Sequence, residues 1–154
     1  MYGHCDHHST LFSLHDCRAE KMTFENGVLS FCFPDGFWVT RDHPLNTTGK
    51  IVKTGPSEVK YRILDEDIND VDFYVFTEKK RRSALRVSWG VENFLSAVNG
   101  GAYQVEFITQ YQSWQSVLHK CWIWFDRGHK ECEIILQTDQ TLWCWDELCP
   151  DRVW

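Results

Sequence analysis

No stretch of this sequence stays apolar long enough to cross a bilayer, and none has the composition of a linker, an internal repeat or a low-complexity tract. A chain of 154 residues without such interruptions is expected to form a single domain over residues 18–154, preceded by an N-terminal arm over residues 1–17. A surplus of basic charge is missing too. Sixteen lysines and arginines stand against 22 aspartates and glutamates, for a formal charge of −6. That balance argues against the broad basic surface of a general nucleic-acid binder and is compatible with a basic protein partner.

Catalytic signatures are absent as well. There is no Gly-x-Ser-x-Gly elbow, no His-Glu-x-x-His, no phosphate loop and no dinucleotide fingerprint, so the expectation is a protein that is not an enzyme. The nearest approach is Asp42-His43, where an adjacent aspartate could orient a loop imidazole as a base. His119 lies in a predicted strand and reads better as a hydrogen-bonded core histidine. Met1–Thr10 lacks the charged-then-apolar pattern of a signal peptide, which sets the expected location as cytoplasmic. Seven cysteines cannot all pair within one chain, and in that compartment they are expected to be reduced thiols. Cys32, Cys121, Cys132 and Cys144 fall in predicted strands, where a free cysteine packs as a small hydrophobe.

What the chain has in quantity is aromatic area, 15% of its residues, which favours strands over helices. Five of the eight tryptophans lie between Tyr103 and Trp145. That stretch reads as an antiparallel meander of strands at Tyr103–Tyr111, Ser116–Phe125, Glu131–Thr138 and Thr141–Asp146. Upstream, Asn26-Gly27 separates two alternating runs and predicts a type I′ hairpin of Arg18–Glu25 with Val28–Phe33. Further strands are expected at Phe37–Thr40, Lys50–Thr54, Glu58–Leu64, near Val71–Phe76 and at Leu85–Val87, with a charged tip at Glu78–Arg82. One helix is predicted over Trp89–Asn99. Val91, Phe94, Leu95 and Val98 form its apolar stripe, Ser88 its N-cap and Asn99-Gly100-Gly101 its stop.

The strand Ser116–Phe125 is apolar on both faces and so calls for cover on both. Two packed antiparallel sheets supply it. The expected fold is therefore mainly β and sandwich-like, with roughly nine or ten strands and one short helix. The alternative is an α+β arrangement, a single curved antiparallel sheet packed on the helix.

Two groups of residues are candidate sites. Cys5 and His8 are separated by two residues, His15 and Cys17 by one, and six residues lie between the pairs. Soft and borderline donors in two short pairs are the ingredients of a tetrahedral zinc site, although the spacing is not that of a standard finger. The second group is aromatic. Trp122 and Trp124 share one strand face, as do Trp143 and Trp145, so the four indoles could form a platform for a sugar or a protein partner. The opposing reading makes them core. Trp114, in a predicted turn, is the indole expected to face water.

Leu14-His15-Asp16-Cys17, followed by the hairpin that carries Leu29-Ser30-Phe31-Cys32-Phe33, resembles the opening of certain small bacterial proteins. These begin Leu-His-Asp-(Ala/Ser/Cys) ahead of an alternating hairpin, and immunity proteins of polymorphic toxin systems are among them. The resemblance covers Leu14–Phe33. It implies a cytoplasmic β-rich fold and, for the immunity branch, neutralisation of a toxin by binding. It also implies a structural role for the His-Asp pair, with Asp16 capping a turn and His15 bonding a backbone carbonyl. The leading expectation is thus a non-enzymatic protein-binding domain. A zinc protein and a sugar or small-ligand binder are its rivals.

Overall fold

The computed structural model describes residues 1–79 and 83–154. In chain order the strands are β1 (His4–Asp6), β2 (Phe12–Ser13), β3 (Cys17–Ala19), β4 (Lys21–Glu25), β5 (Val28–Phe33), β6 (Trp38–Val39), β7 (Val52–Thr54), β8 (Ser57–Ile63), β9 (Val71–Lys79), β10 (Ser83–Trp89), β11 (Gln104–Ser113), β12 (Ser116–Phe125), β13 (Gly128–Trp145) and β14 (Leu148–Val153). The α-helix α1 (Val91–Asn99) joins β10 to β11. Every strand pairing is antiparallel. Ten strands form one sheet, with the central path β3-β11-β12-β13-β8-β5-β4, and four form a second, ordered β14-β7-β6-β2. Neither closes into a barrel. The fold class expected from the sequence, mainly β and antiparallel with one short helix, is the one observed. The tip of the β9–β10 hairpin, with Lys80, Arg81 and Arg82, lies outside the described residues.

β13 is the spine. Its first half, Cys132–Leu136, lies between β12 and β9, and its second half runs along β8, with β1 at its far end. The sequence suggested two strands here because polar Thr138, Asp139 and Gln140 interrupt the alternation. The structure keeps one 18-residue strand and absorbs the interruption as a register shift between Thr138 and Gln140. Thr138 holds that irregularity, its Oγ1 donating to Arg62 O at 2.7 Å. A bulge of this kind sharpens local twist and re-aims the side chains beyond it. The four predicted strands of the meander are therefore three.

Other boundaries follow local chemistry. Asn26 (φ 51°) and Gly27 (φ 73°) make the predicted turn between β4 and β5. Upstream of that hairpin the chain breaks at Glu20, and β3 leaves to pair with β11. The helix starts two residues later than predicted. Trp89 and Ser88 belong to β10, and the N-cap is Gly90, with no side-chain cap. Phe94 and Val98 are buried, with Val91 and Leu95 packed against the core beside them. At the helix end Asn99 reaches the backbone of edge strand β4, accepting from Met22 N–H (2.9 Å) and donating to Met22 C=O (2.7 Å). That occupies part of a sheet edge that would otherwise be free to pair.

The inner face of the large sheet is covered in two places. α1 covers one, stacking Phe94 on Phe73 with ring centroids 4.1 Å apart. The small sheet and the loop leading to it cover the other, where Phe12 stacks on Trp143 at 5.0 Å and Phe37 meets it edge-on at 5.1 Å. Residues 1–17 contribute to both sheets through β1 and β2, and bury Phe12, Leu14 and Cys17. Between β1 and β2 the chain makes a 3-10 turn at Ser9–Leu11.

Candidate functional site

The four indoles do not share a platform. Trp143 and Trp145 are each 1% exposed, sealed by Phe12, Phe37 and His43. Trp122 and Trp124 point to the opposite face of the large sheet. That face corrects the expectation that β12 is covered on both sides. Val117, His119, Cys121 and Ile123 are buried inward, while Leu118, Trp122 and Trp124 are only half-buried.

Register explains what surrounds the open-face pair. Trp122 stands between Glu106 of β11 and Glu131 of β13, and Trp124 between Gln104 and His129. The imidazole of His129 sits 4.6 Å from Trp122 and 4.7 Å from Trp124, with the indoles 6.1 Å apart. Arginines flank this aromatic strip on both sides. Arg18 lies over Trp124 at 4.6 Å and pairs with Glu106 (3.1 Å), while Arg86 lies over Tyr74 at 3.5 Å and pairs with Glu133 (2.9 Å). Glu106, 8% exposed, also accepts from Trp124 Nε1. Cation–π contacts and ion pairs thus fix the rim, and the clustered rings, tilted or edge-on to one another, form the centre.

A second feature lies at the β11–β12 turn. Trp114 is 87% exposed, as its predicted turn position implied, and Tyr111 is 56% exposed. Trp114 rims a polar concavity of about 530 Å³ lined also by His7, Gln112, Gln115 and Gln140. An inner concavity of about 380 Å³ is lined by Ser13, His15, Gln110 and His119. Ser9 and Gln112 line both. His119 is buried, as expected, and its Nε2 meets the hydroxyl of Tyr61 at 2.9 Å. Burial pushes the His119 imidazole down to about 3, so the ring is neutral, and its Nδ1 has no partner.

The candidate zinc ligands are not brought together. Cys5 is joined to Cys144 in a disulfide, which removes its thiolate and corrects the expectation that all seven cysteines are reduced. The cause is register. Cys5 and Cys144 are directly opposed on β1 and β13, Cα atoms 4.3 Å apart, although 139 residues separate them in sequence. His8 turns to Asp6, its Nδ1 2.6 Å from Oδ1. His15 bonds the carbonyl of Ile108, 93 positions away, through Nδ1 at 2.6 Å, and stacks on Trp154. Cys17 is buried in β3, and burial pushes its thiol up to about 12. No cluster of three or more metal-donor side chains occurs among the described residues. Cys32, Cys121, Cys132 and Cys149 are, with Cys17, free thiols. Burial raises Cys121 well above the ordinary thiol range and Cys132 to about 12, which makes both inert.

The Asp42-His43 pair does not assemble either. Asp42 is exposed, and His43 turns into the core, where its Nδ1 accepts from Leu45 N–H and its Nε2 lies 3.4 Å from Asp6. Partial burial opposes ionisation of Asp6, but the backbone and imidazole of His8, with His43 nearby, outweigh it and hold the carboxyl below its usual range.

Sequence reasoning missed the roles of Arg18, Arg86, Glu106 and His129. One of them had a usable signal. The turn at Asp126-Arg127 sets Phe125 opposite Gly128, and counting back places Trp124 opposite His129. Comparison with protein-family models, with curated proteins and with solved structures finds no match to this chain. No helix among the described residues is long and apolar enough to cross a membrane.

Proposed function

We propose that this protein acts by binding another protein through the open face of its large sheet, without catalysing a reaction. The observation that carries this reading is the cluster of half-buried Trp122 and Trp124 with exposed His129, which no second layer of the described residues covers and which ion-paired arginines border on both sides. Aromatic anchors at a centre with a polar rim are the anatomy of protein interfaces, and tryptophan and arginine are the residues most often found to dominate their energetics. The formal charge of −6 favours a basic partner. The resemblance of Leu14–Phe33 to immunity-type proteins supports a toxin-neutralising role for such binding.

The test is affinity capture from the source cells with the wild-type chain and with a Trp122→Ala/Trp124→Ala double variant of unchanged far-UV spectrum. A partner held by the wild type and lost by the variant supports the face, with affinity falling at least about 30-fold. A partner retained equally by both places the interface elsewhere. Its on-rate should fall steeply with salt, and an on-rate indifferent to salt would count against a basic partner.

A further inference from the structure

The two concavities beside Trp114 are separate from the aromatic face, since neither Trp122 nor Trp124 lines them. Their chemistry is unusual for so acidic a protein. Among the described residues no lysine or arginine lines either one, and the single carboxylate, Asp139, is already held by Arg62 in a two-point pair at 3.0 and 2.6 Å. An anionic ligand would find no fixed cation there, and a cationic one no free carboxylate. What remains is a run of amides and hydroxyls: Gln110, Gln112, Gln115, Gln140, Ser9 and Ser13. Each of these groups can both donate and accept. An indole stands at the outer end and is almost wholly exposed, which leaves its face free to pack on a ligand. At the inner end lies the buried His119 ring, with Nε2 committed to Tyr61 and Nδ1 without a partner among the described residues.

We propose that the two concavities form one continuous binding site for an uncharged, hydroxyl-rich chain, a short neutral oligosaccharide. One sugar ring lies on the face of Trp114, the chain passes between Ser9 and Gln112, and its inner end rests beside the buried ring of His119. The volumes of about 530 and 380 Å³ each fall in the range of small-ligand sites. Such a ligand has hydroxyls that both donate and accept and ring faces of C–H groups, and those are the two chemistries the site offers.

The test uses the full chain against immobilised neutral oligosaccharides of increasing length, each printed beside its sulfated counterpart, followed by solution titration of the best neutral binder. Affinity is expected to rise at least about tenfold from the single sugar to a chain that spans both concavities. Trp114→Ala and Gln112→Ala lie on the surface and should leave the melting temperature unchanged while each weakens binding at least about tenfold. Saturating ligand should also shift the ring nitrogen resonances of His119, a readout that needs no substitution in the core. No neutral binding at about 10 mM ligand, tighter binding of the sulfated forms, or affinities unchanged in both variants would overturn the proposal. Binding that depends on Trp114 but does not grow with length and leaves His119 unmoved would overturn the continuous site.

Discussion

Trp122 and Trp124 on β12 have the same spacing as Trp143 and Trp145 on β13, in neighbouring strands of one sheet, and they meet opposite fates. Spacing by two puts a pair on one face, but it does not say which face has a second layer over it. The layer is supplied from far away in the chain. Phe12 precedes Trp143 by more than a hundred residues, and Phe37 and His43 arrive on the loops around the small sheet. Beyond the irregularity at Thr138 the spine passes under that layer, and its indoles become core. On β12 the odd-numbered side chains take the inward positions, which leaves the indoles outside among ring neighbours, Arg18 and Glu106. The same motif thus makes a core in one place and a surface in the other.

The comparison is tested most severely by truncation. Trp143→Ala removes a fully buried indole that contacts Phe12 and Phe37, and it should cost about 3–5 kcal/mol in denaturant unfolding. A cost near that of an exposed residue would mean that the small sheet does not seal this region. The next effect concerns how β1 is held on the covered half of β13. Cys5→Ser opens a loop spanning 139 positions and should lower stability by about 2–4 kcal/mol. Wild-type protein in reductant should fall to the same midpoint. Alkylation of the denatured, unreduced chain should label five thiols, those of the free cysteines, and seven labels would refute the bond.

How much of this was legible depends on the range of the cause. The Asn26-Gly27 hairpin, the β12 strand and the apolar stripe of α1 are local, and their residues announce them. The exposure of Trp114 was legible for the same reason, since a tight turn leaves its side chains little to pack on. The disulfide was not, because Cys5 and Cys144 meet only through the pairing of the first strand with the end of the spine. Nor was the placement of His43, which turns away from its neighbour Asp42 and brings its Nε2 to 3.4 Å from Asp6. The fate of the two tryptophan pairs belongs to this second class. Local alternation predicted both faces correctly, but only the path of the small sheet decides which one is covered.

A smaller effect comes from the inward side of β12. In the folded protein burial keeps His119 neutral down to about 3, whereas an unfolded chain protonates it near 6.5. Between those values the unfolded state binds more protons, so stability rises with pH and is lost as pH falls through this window. The slope is at most about 1.4 kcal/mol per pH unit, or about 2 kcal/mol between pH 6.5 and 5. Asp6 and Asp139, both held below the usual carboxylate range, lose their contributions at lower pH than this. His119→Gln should therefore flatten the slope of unfolding free energy between pH 6.5 and 5, and an unchanged slope would assign it to other groups.

The smallest effects lie within the open face, where the two indoles are not equivalent. Trp122 contributes an edge contact to Trp124 and a tilted contact to His129 with no hydrogen bond from its own ring among the described contacts, so Trp122→Ala should cost less than about 1 kcal/mol. Trp124 also donates to Glu106, a carboxylate only 8% exposed, and lies under Arg18. Its removal leaves Glu106 dependent on Arg18 alone, and a charged acceptor that loses a donor costs about 1–3 kcal/mol. Trp124→Ala should therefore be the more damaging to stability, and in an Arg18→Ala background the two losses should not add, because both act on one carboxylate. Strict additivity would mean that Glu106 does not couple them. The rim would then be a set of independent surface contacts rather than a fixed frame for the aromatic strip.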